Sequence, residues 1–121
     1  MKELMKNWEG TPFPEMIRSL PEIDISFEGV RGWLLQNTEH QAVFFDIEPF
    51  GKVPPHSHCA QWGIVIEGEM SLTIGGETKT CSKGDWYFIP KGVEHSASFL
   101  TRVYVIDVFD ASDRYKIKSE K

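Results

Sequence analysis

No stretch of this chain is long and apolar enough to cross a bilayer. Its longest apolar runs, Ala42 to Phe45 and Gly63 to Ile66, fall far short of the ~20 residues a spanning helix needs. The N-terminus reads Met-Lys-Glu-Leu-Met-Lys and lacks the apolar core of a secretory signal, which argues against export. There is no basic block either. Thirteen Lys and Arg stand against 18 Asp and Glu, a net charge of −5, so the chain offers no cationic face to nucleic acid. Cysteine is scarce: only Cys59 and Cys81 occur. A non-secreted chain does not need the one disulfide they could form, and a reducing compartment opposes it, so two free thiols in a cytoplasmic protein are expected. No internal repeat is visible, and 121 residues suit one folded body with a real core.

What is present is a succession of short strands. Residues 1–25 read as an arm packing on the main body, with short helices over Lys2–Trp8 and Glu15–Leu20 around Thr11-Pro12-Phe13-Pro14. Neither helix is long enough to stand alone. From Ser26 the pattern changes. Val30–Asn37, Gln41–Glu48, Gln61–Ile66, Met70–Ile74, Glu77–Cys81, Trp86–Ile89, Ser96–Leu100 and Arg102–Phe109 are short, β-branched or aromatic, and bounded by turn residues. Gly75-Gly76 is a hairpin signal. Pro49–Pro55, with three prolines and a glycine, reads as a loop. Eight or more strands with no helix between them predict an all-β sandwich or barrel over residues 26–110. The charged tail, 111–121, either frays or forms a short helix capped by Asp110 or Ser112. Val103–Val108 and Gly63–Ile66 are apolar on both faces, as expected between two sheets or under a dimer contact.

Three of the four histidines fall into two stretches. His56 and His58, at i and i+2, share a face if the backbone is extended, and a third imidazole from a later strand could complete a facial set of nitrogen ligands. The first stretch is Gly51-Lys-Val-Pro-Pro-His56-Ser-His58-Cys-Ala-Gln61-Trp-Gly-Ile-Val-Ile-Glu-Gly68. The second is Gly84-Asp-Trp-Tyr-Phe-Ile-Pro90-Lys-Gly92-Val-Glu-His95. Together they resemble the two signature motifs of the cupin superfamily, most closely its small single-domain members. The second is matched in full at Gly84, Pro90, Gly92 and His95, the first at the His pair and Gly68.

That resemblance implies a double-stranded β-helix, or jelly-roll, barrel. It also implies that His56, His58 and His95 hold a divalent metal, with zinc, iron, nickel and manganese all open. The family's usual glutamate, counted back from Gly68, is Gln61 here; counted forward from His58 the usual gap lands on Trp62 or Gly63, neither of which can coordinate, so the motif is one residue short and an amide replaces its carboxylate. Gln61 either coordinates through its carbonyl oxygen or stands behind the ligands. The asparagine that often follows the second motif's histidine is Phe99. Such a site keeps the metal's full charge for an anionic ligand and has no base of its own at position 61.

Two readings stay open. One is a metal-dependent enzyme, dioxygenase-like, acting on a small organic substrate. The other is a non-catalytic module that binds or senses an organic acid or sugar. A metal-free epimerase needs a histidine–acid pair, and neither motif supplies the acid. A homodimer is expected from family habit and the apolar strands. His40 lies outside both motifs and reads as an ordinary surface residue, Glu94 as pointing outward, and Cys59 as a small buried hydrophobe. Trp62, Trp86, Tyr87 and Phe88 read as core or pocket wall.

Overall fold

Short apolar segments and glycine turns pair into two antiparallel sheets in a computed structural model that describes residues 10–119. The helix expected over Lys2–Trp8 lies outside the described residues. Nine strands are described: β1 Val30–Gln36, β2 Gln41–Ile47, β3 Lys52–His56, β4 Gln61–Glu67, β5 Glu69–Ile74, β6 Glu77–Ser82, β7 Trp86–Ile89, β8 His95–Phe99 and β9 Val103–Phe109. They form a five-stranded sheet of order β1-β2-β9-β4-β7 and a four-stranded sheet of order β3-β8-β5-β6, the jelly-roll arrangement. No helix among the described residues is long and apolar enough to cross a membrane.

Strand parity decides the inside. In β9, Val103, Val105, Asp107 and Phe109 face inward; in β4, Gln61, Gly63 and Val65 do. Val43, Val65, Val103, Val105, Ile89 and Phe109 are almost completely removed from water. The hairpin at Gly75-Gly76 has φ of 56° and 90° at its two central residues, a backbone in which a side chain would be strained.

Three local expectations are corrected. The Pro49–Pro55 segment is not wholly loop, because Lys52–His56 pairs with β8. The register shifts between Val53 and His56, where Pro54 and Pro55 have no N–H to give, and β3 lies at a sheet edge that tolerates them. The helix expected to Leu20 is α1, Glu15–Arg18, a single turn closed before Pro21. No helix follows Asp110 among the described residues. Buried Gln41 instead fixes the tail: its Nε2 donates to the carbonyls of Ser112 and Tyr115 (3.3 and 2.9 Å), and its Oε1 accepts from the Tyr115 N–H at 2.9 Å. Ile117 then forms a bridge with Ile23. The tail is thereby drawn over the barrel mouth.

The outer face of the five-stranded sheet is also apolar. Leu35, Ala42, Val108, Trp62 and Phe88 make one cross-strand row; Trp33, Phe44, Ile106, Ile64 and Trp86 make the next. Phe13, Ile17 and Leu20 of the N-terminal segment cover the Trp33, Phe44 and Tyr104 end, with Phe13 edge-on to all three rings. At the other end Trp62, Trp86 and Phe88 are 37%, 67% and 53% exposed. These three residues are thus neither core nor pocket wall. In β7 the alternation Trp-Tyr-Phe-Ile sends only Tyr87 and Ile89 inward.

Candidate metal centre

The three histidines of the two motifs meet inside the barrel. β3 ends at His56, which pairs directly with His95, the first residue of β8. His58 lies beyond the strand, so the i, i+2 argument does not hold as a strand argument, yet its ring turns to the same point. Ring centroids lie 4.3 Å apart for His56 and His95, 4.7 Å for His58 and His95, and 5.0 Å for His56 and His58. Their candidate ligand atoms all fall within 4.8 Å of one another.

Each ring is anchored the same way. His56 Nδ1 donates to the Pro54 carbonyl at 2.9 Å, His58 Nδ1 to Cys59 at 2.8 Å and His95 Nδ1 to Val93 at 3.0 Å. A carbonyl can only accept, so each Nδ1 carries a proton, and in the neutral ring the lone pair is then on Nε2. Nε2 of His58 lies 3.1 Å from Nε2 of His95. That distance is one a shared proton or a bound metal ion satisfies and two bare lone pairs do not, and backbone carbonyls fixing the far nitrogens are the usual support of metal-ligating imidazoles. The donor set therefore fits a divalent transition metal. Burial lowers the pKa of His58 to about 4, and lowers that of His95, with the Arg114 guanidinium adding to both. Both rings are held in the neutral form that coordinates.

Gln61, the first residue of β4, lines the same cavity and is buried. Its amide stands beside the Asp107 carboxyl, and its Oε1 is buried with no partner. An orphaned amide oxygen on the wall of a three-histidine pocket is a further donor of the right kind. Cys59 is half-buried against the core with Sγ 3.9 Å from His58 Nδ1, and burial raises its thiol pKa, away from the thiolate a metal needs. Both cysteines are free. Glu94 is exposed, and His40 pairs with Asp110 on the surface at 3.2 Å.

Two cavity residues, Asp107 and Tyr115, escaped the motif reading, as did Arg114 of the outer depression. Asp107, on β9 outside both motifs, is buried and accepts the Tyr87 hydroxyl at 2.7 Å. Burial pushes its carboxyl up to about 6, while the hydrogen bonds from Tyr87 and Gln61 pull the other way. A carboxyl is thus present in the cavity, although neither motif supplies it. The pair needs Gly63: a Cβ there would overlap Asp107 Oδ1 and the Tyr87 ring. The available signal was one acid at an inward position of an otherwise apolar strand, opposite a glycine. Tyr115 and Arg114 come from the tail. The Arg114 guanidinium lies 4.3 Å from the Tyr115 ring centroid, and its Nε is buried without a hydrogen-bond partner.

The cavity holds about 60 Å³ of open space, room for roughly four water molecules. An outer depression of about 310 Å³, lined by Asp24, Phe27, Arg114 and Lys116, shares Ile25, Phe27 and Tyr115 with it.

With this geometry, the family model described as "Cupin domain" matches residues 43–109, and the chain belongs to the cupins. Among solved structures, an RmlC-like cupin from Shewanella frigidimarina is 28% identical with a TM-score of 0.73, covering 88% of this chain and 95% of that one. KdgF from Halomonas sp. is 25% identical with a TM-score of 0.68, covering 76% and 86%. Salicylate 1,2-dioxygenase from Pseudaminobacter salicylatoxidans is 20% identical with a TM-score of 0.65, and this chain spans 30% of it, a likeness of fold alone. No curated protein sequence matches the chain.

Proposed function

We propose that this cupin binds a divalent transition metal through His56, His58 and His95, with Gln61 Oε1 as a fourth donor, and acts on a small anionic organic compound. One observation carries the reading: three Nδ1–H groups tied to backbone carbonyls leave three Nε2 lone pairs converging in one cavity. A bound metal supplies Lewis acidity and open coordination positions to a substrate or dioxygen. The chain's own residues do the rest. The neutral donor set leaves the metal charge uncompensated, and Arg114 beside the rings adds a second positive centre, so an anion is favoured. The 60 Å³ cavity admits only the reacting end of such a ligand, and the outer depression receives the remainder.

Metal content of protein purified without added metal, repeated on His56→Ala, tests the site; an undiminished content in the variant overturns the ligand assignment. Oxygen uptake by the iron-loaded protein across catechols, diketones and thiols tests a dioxygenase-type reaction. The binding-module reading is favoured by one feature: the Asp107 carboxyl already accepts the Tyr87 hydroxyl at 2.7 Å and is committed to that structural bond. Silence across the panel with micromolar binding of a small carboxylic acid selects that module.

The uncovered half of the outer sheet face supports a homodimer. Trp62, Trp86, Phe88 and Val108 together expose a few hundred Å² of contiguous apolar surface, at the upper end of what monomers leave in water. A second copy presenting the same rows covers it by two-fold symmetry. Light scattering is expected to give twice the chain mass for the native protein and a monomer for Phe88→Asp; a native monomer overturns the dimer.

A further inference from the structure

The amide at position 61 and the carboxyl at position 107 lie two residues apart in register on adjacent, paired strands, both inward and both buried, lining one cavity, with the amide nitrogen toward the carboxyl. Of the two ends of the Gln61 amide, only the nitrogen can donate to a carboxyl oxygen. The oxygen is therefore turned away from Asp107, and it is the atom left without a partner. Asp107 is itself immobilised. The Tyr87 hydroxyl holds Oδ1 at 2.7 Å, and Gly63 leaves the space that lets ring and carboxyl meet.

A glutamate at position 61 would set two carboxylates against one another in a buried site, where like charges are costly. Glutamine converts that clash into a donor–acceptor pair, which accounts for an amide where cupins commonly carry an acid. We propose that Asp107 is a positioning residue of the metal centre: by accepting the Gln61 N–H it fixes the amide so that Oε1 is presented to the metal, with Tyr87 and Gly63 holding Asp107 in place. This rests on the metal reading above. The carboxylate contributed by one ligand elsewhere in the family is here divided between two residues, a neutral oxygen donor and a buried acid behind it.

A double-mutant cycle on zinc affinity, measured by competition with a chromophoric chelator, tests this. Asp107→Asn is expected to weaken zinc about tenfold, because an asparagine can face Gln61 with either its oxygen or its nitrogen, and loss of such an orienting partner costs 10- to 100-fold. Gln61→Ala is expected to weaken zinc by a similar factor. Asp107→Asn in the Gln61→Ala background is then expected to change nothing further. Equal affinity of Asp107→Asn and native protein overturns the proposal, as does an undiminished Asp107 effect when Gln61 is absent. No zinc binding by the native protein overturns the metal reading, and this inference with it. Circular dichroism establishes that the variants are folded. Should Asp107→Asn fail to fold, nuclear magnetic resonance of the native protein decides. The Gln61 side-chain amide, assigned by its loss in Gln61→Ala, is expected to exchange slowly with solvent, and rapid exchange overturns the fixed amide.

Discussion

Gly63→Ala should be among the most damaging one-carbon changes in this barrel. The backbone of Gly63 lies in a regular strand and not in the left-handed region, so alanine meets no backbone strain, and the whole effect must come from the space its Cβ enters. That space is filled by Asp107 Oδ1 and the Tyr87 ring, both buried and held by β9 and β7 on either side. The methyl group must part them. Overpacking a core costs about 1–3 kcal/mol. Separating Tyr87 from Asp107 strands a buried donor and acceptor for about another 1–3 kcal/mol. The entropy that alanine removes from the unfolded chain returns about 0.5–1 kcal/mol. The net loss is about 3 kcal/mol, which in a domain of this size lowers the melting temperature by roughly 10 °C. Thermal denaturation in the presence of a chelator, followed by circular dichroism, measures the fold without the contribution of metal. A fall of less than about 3 °C would refute the reasoning, because it would mean that the Tyr87–Asp107 pair can move aside at little cost.

The remaining predictions concern charge. Asp107 is buried with its carboxyl at about 6 against an ordinary 3.8, so the folded state holds its proton more tightly than the unfolded state does. Stability from this group is therefore lost as pH rises through that window. Relative to Asp107→Asn, metal-free native protein should lose up to about 3 kcal/mol between pH 4 and pH 7; parallel urea-unfolding profiles for the two proteins would contradict this. His58 and His95 work in the opposite sense. Their lowered pKa values mean that the folded state resists protonation, so the stability they contribute is present above pH 6.5 and, for His58, is lost as pH falls toward about 4. His58→Gln should flatten the acid limb of the metal-free stability curve, and an unchanged limb would show that His58 is not held neutral by burial. Arg102 makes a two-point contact with buried Asp46, at 2.9 Å through Nε and 2.8 Å through Nη2. Arg102→Met should cost about 2 kcal/mol in urea unfolding, less than a fully buried pair because Arg102 is half exposed; a change under about 0.5 kcal/mol would refute the pairing.

The barrel was legible in the sequence because its signals are local. Period-two alternation in β5, the paired glycines at 75 and 76, and turn residues at short intervals each state their own structure within a few positions. The motif histidines were legible for a similar reason, since their spacing is set by strand and turn lengths. Other features were not local. Pro54 and Pro55 read as loop because a proline's missing donor matters only once a strand's place in the sheet is known, and β3 is an edge. Trp62, Trp86 and Phe88 read as interior because hydrophobicity does not say which of two faces a strand turns inward.

The sequence by itself determined a β-barrel with an HxH pair and a third histidine at motif spacing, and it marked Gln61 as a departure. Only the tertiary structure decided what surrounds them. It placed Asp107, 46 positions from Gln61 in the numbering, against the Gln61 amide, opposite a glycine that makes the room, and drew Arg114 and Tyr115 back over the mouth through Gln41. Strand pairing between distant segments is cooperative and long-range, so contacts that depend on it carry no signature in a local window of residues.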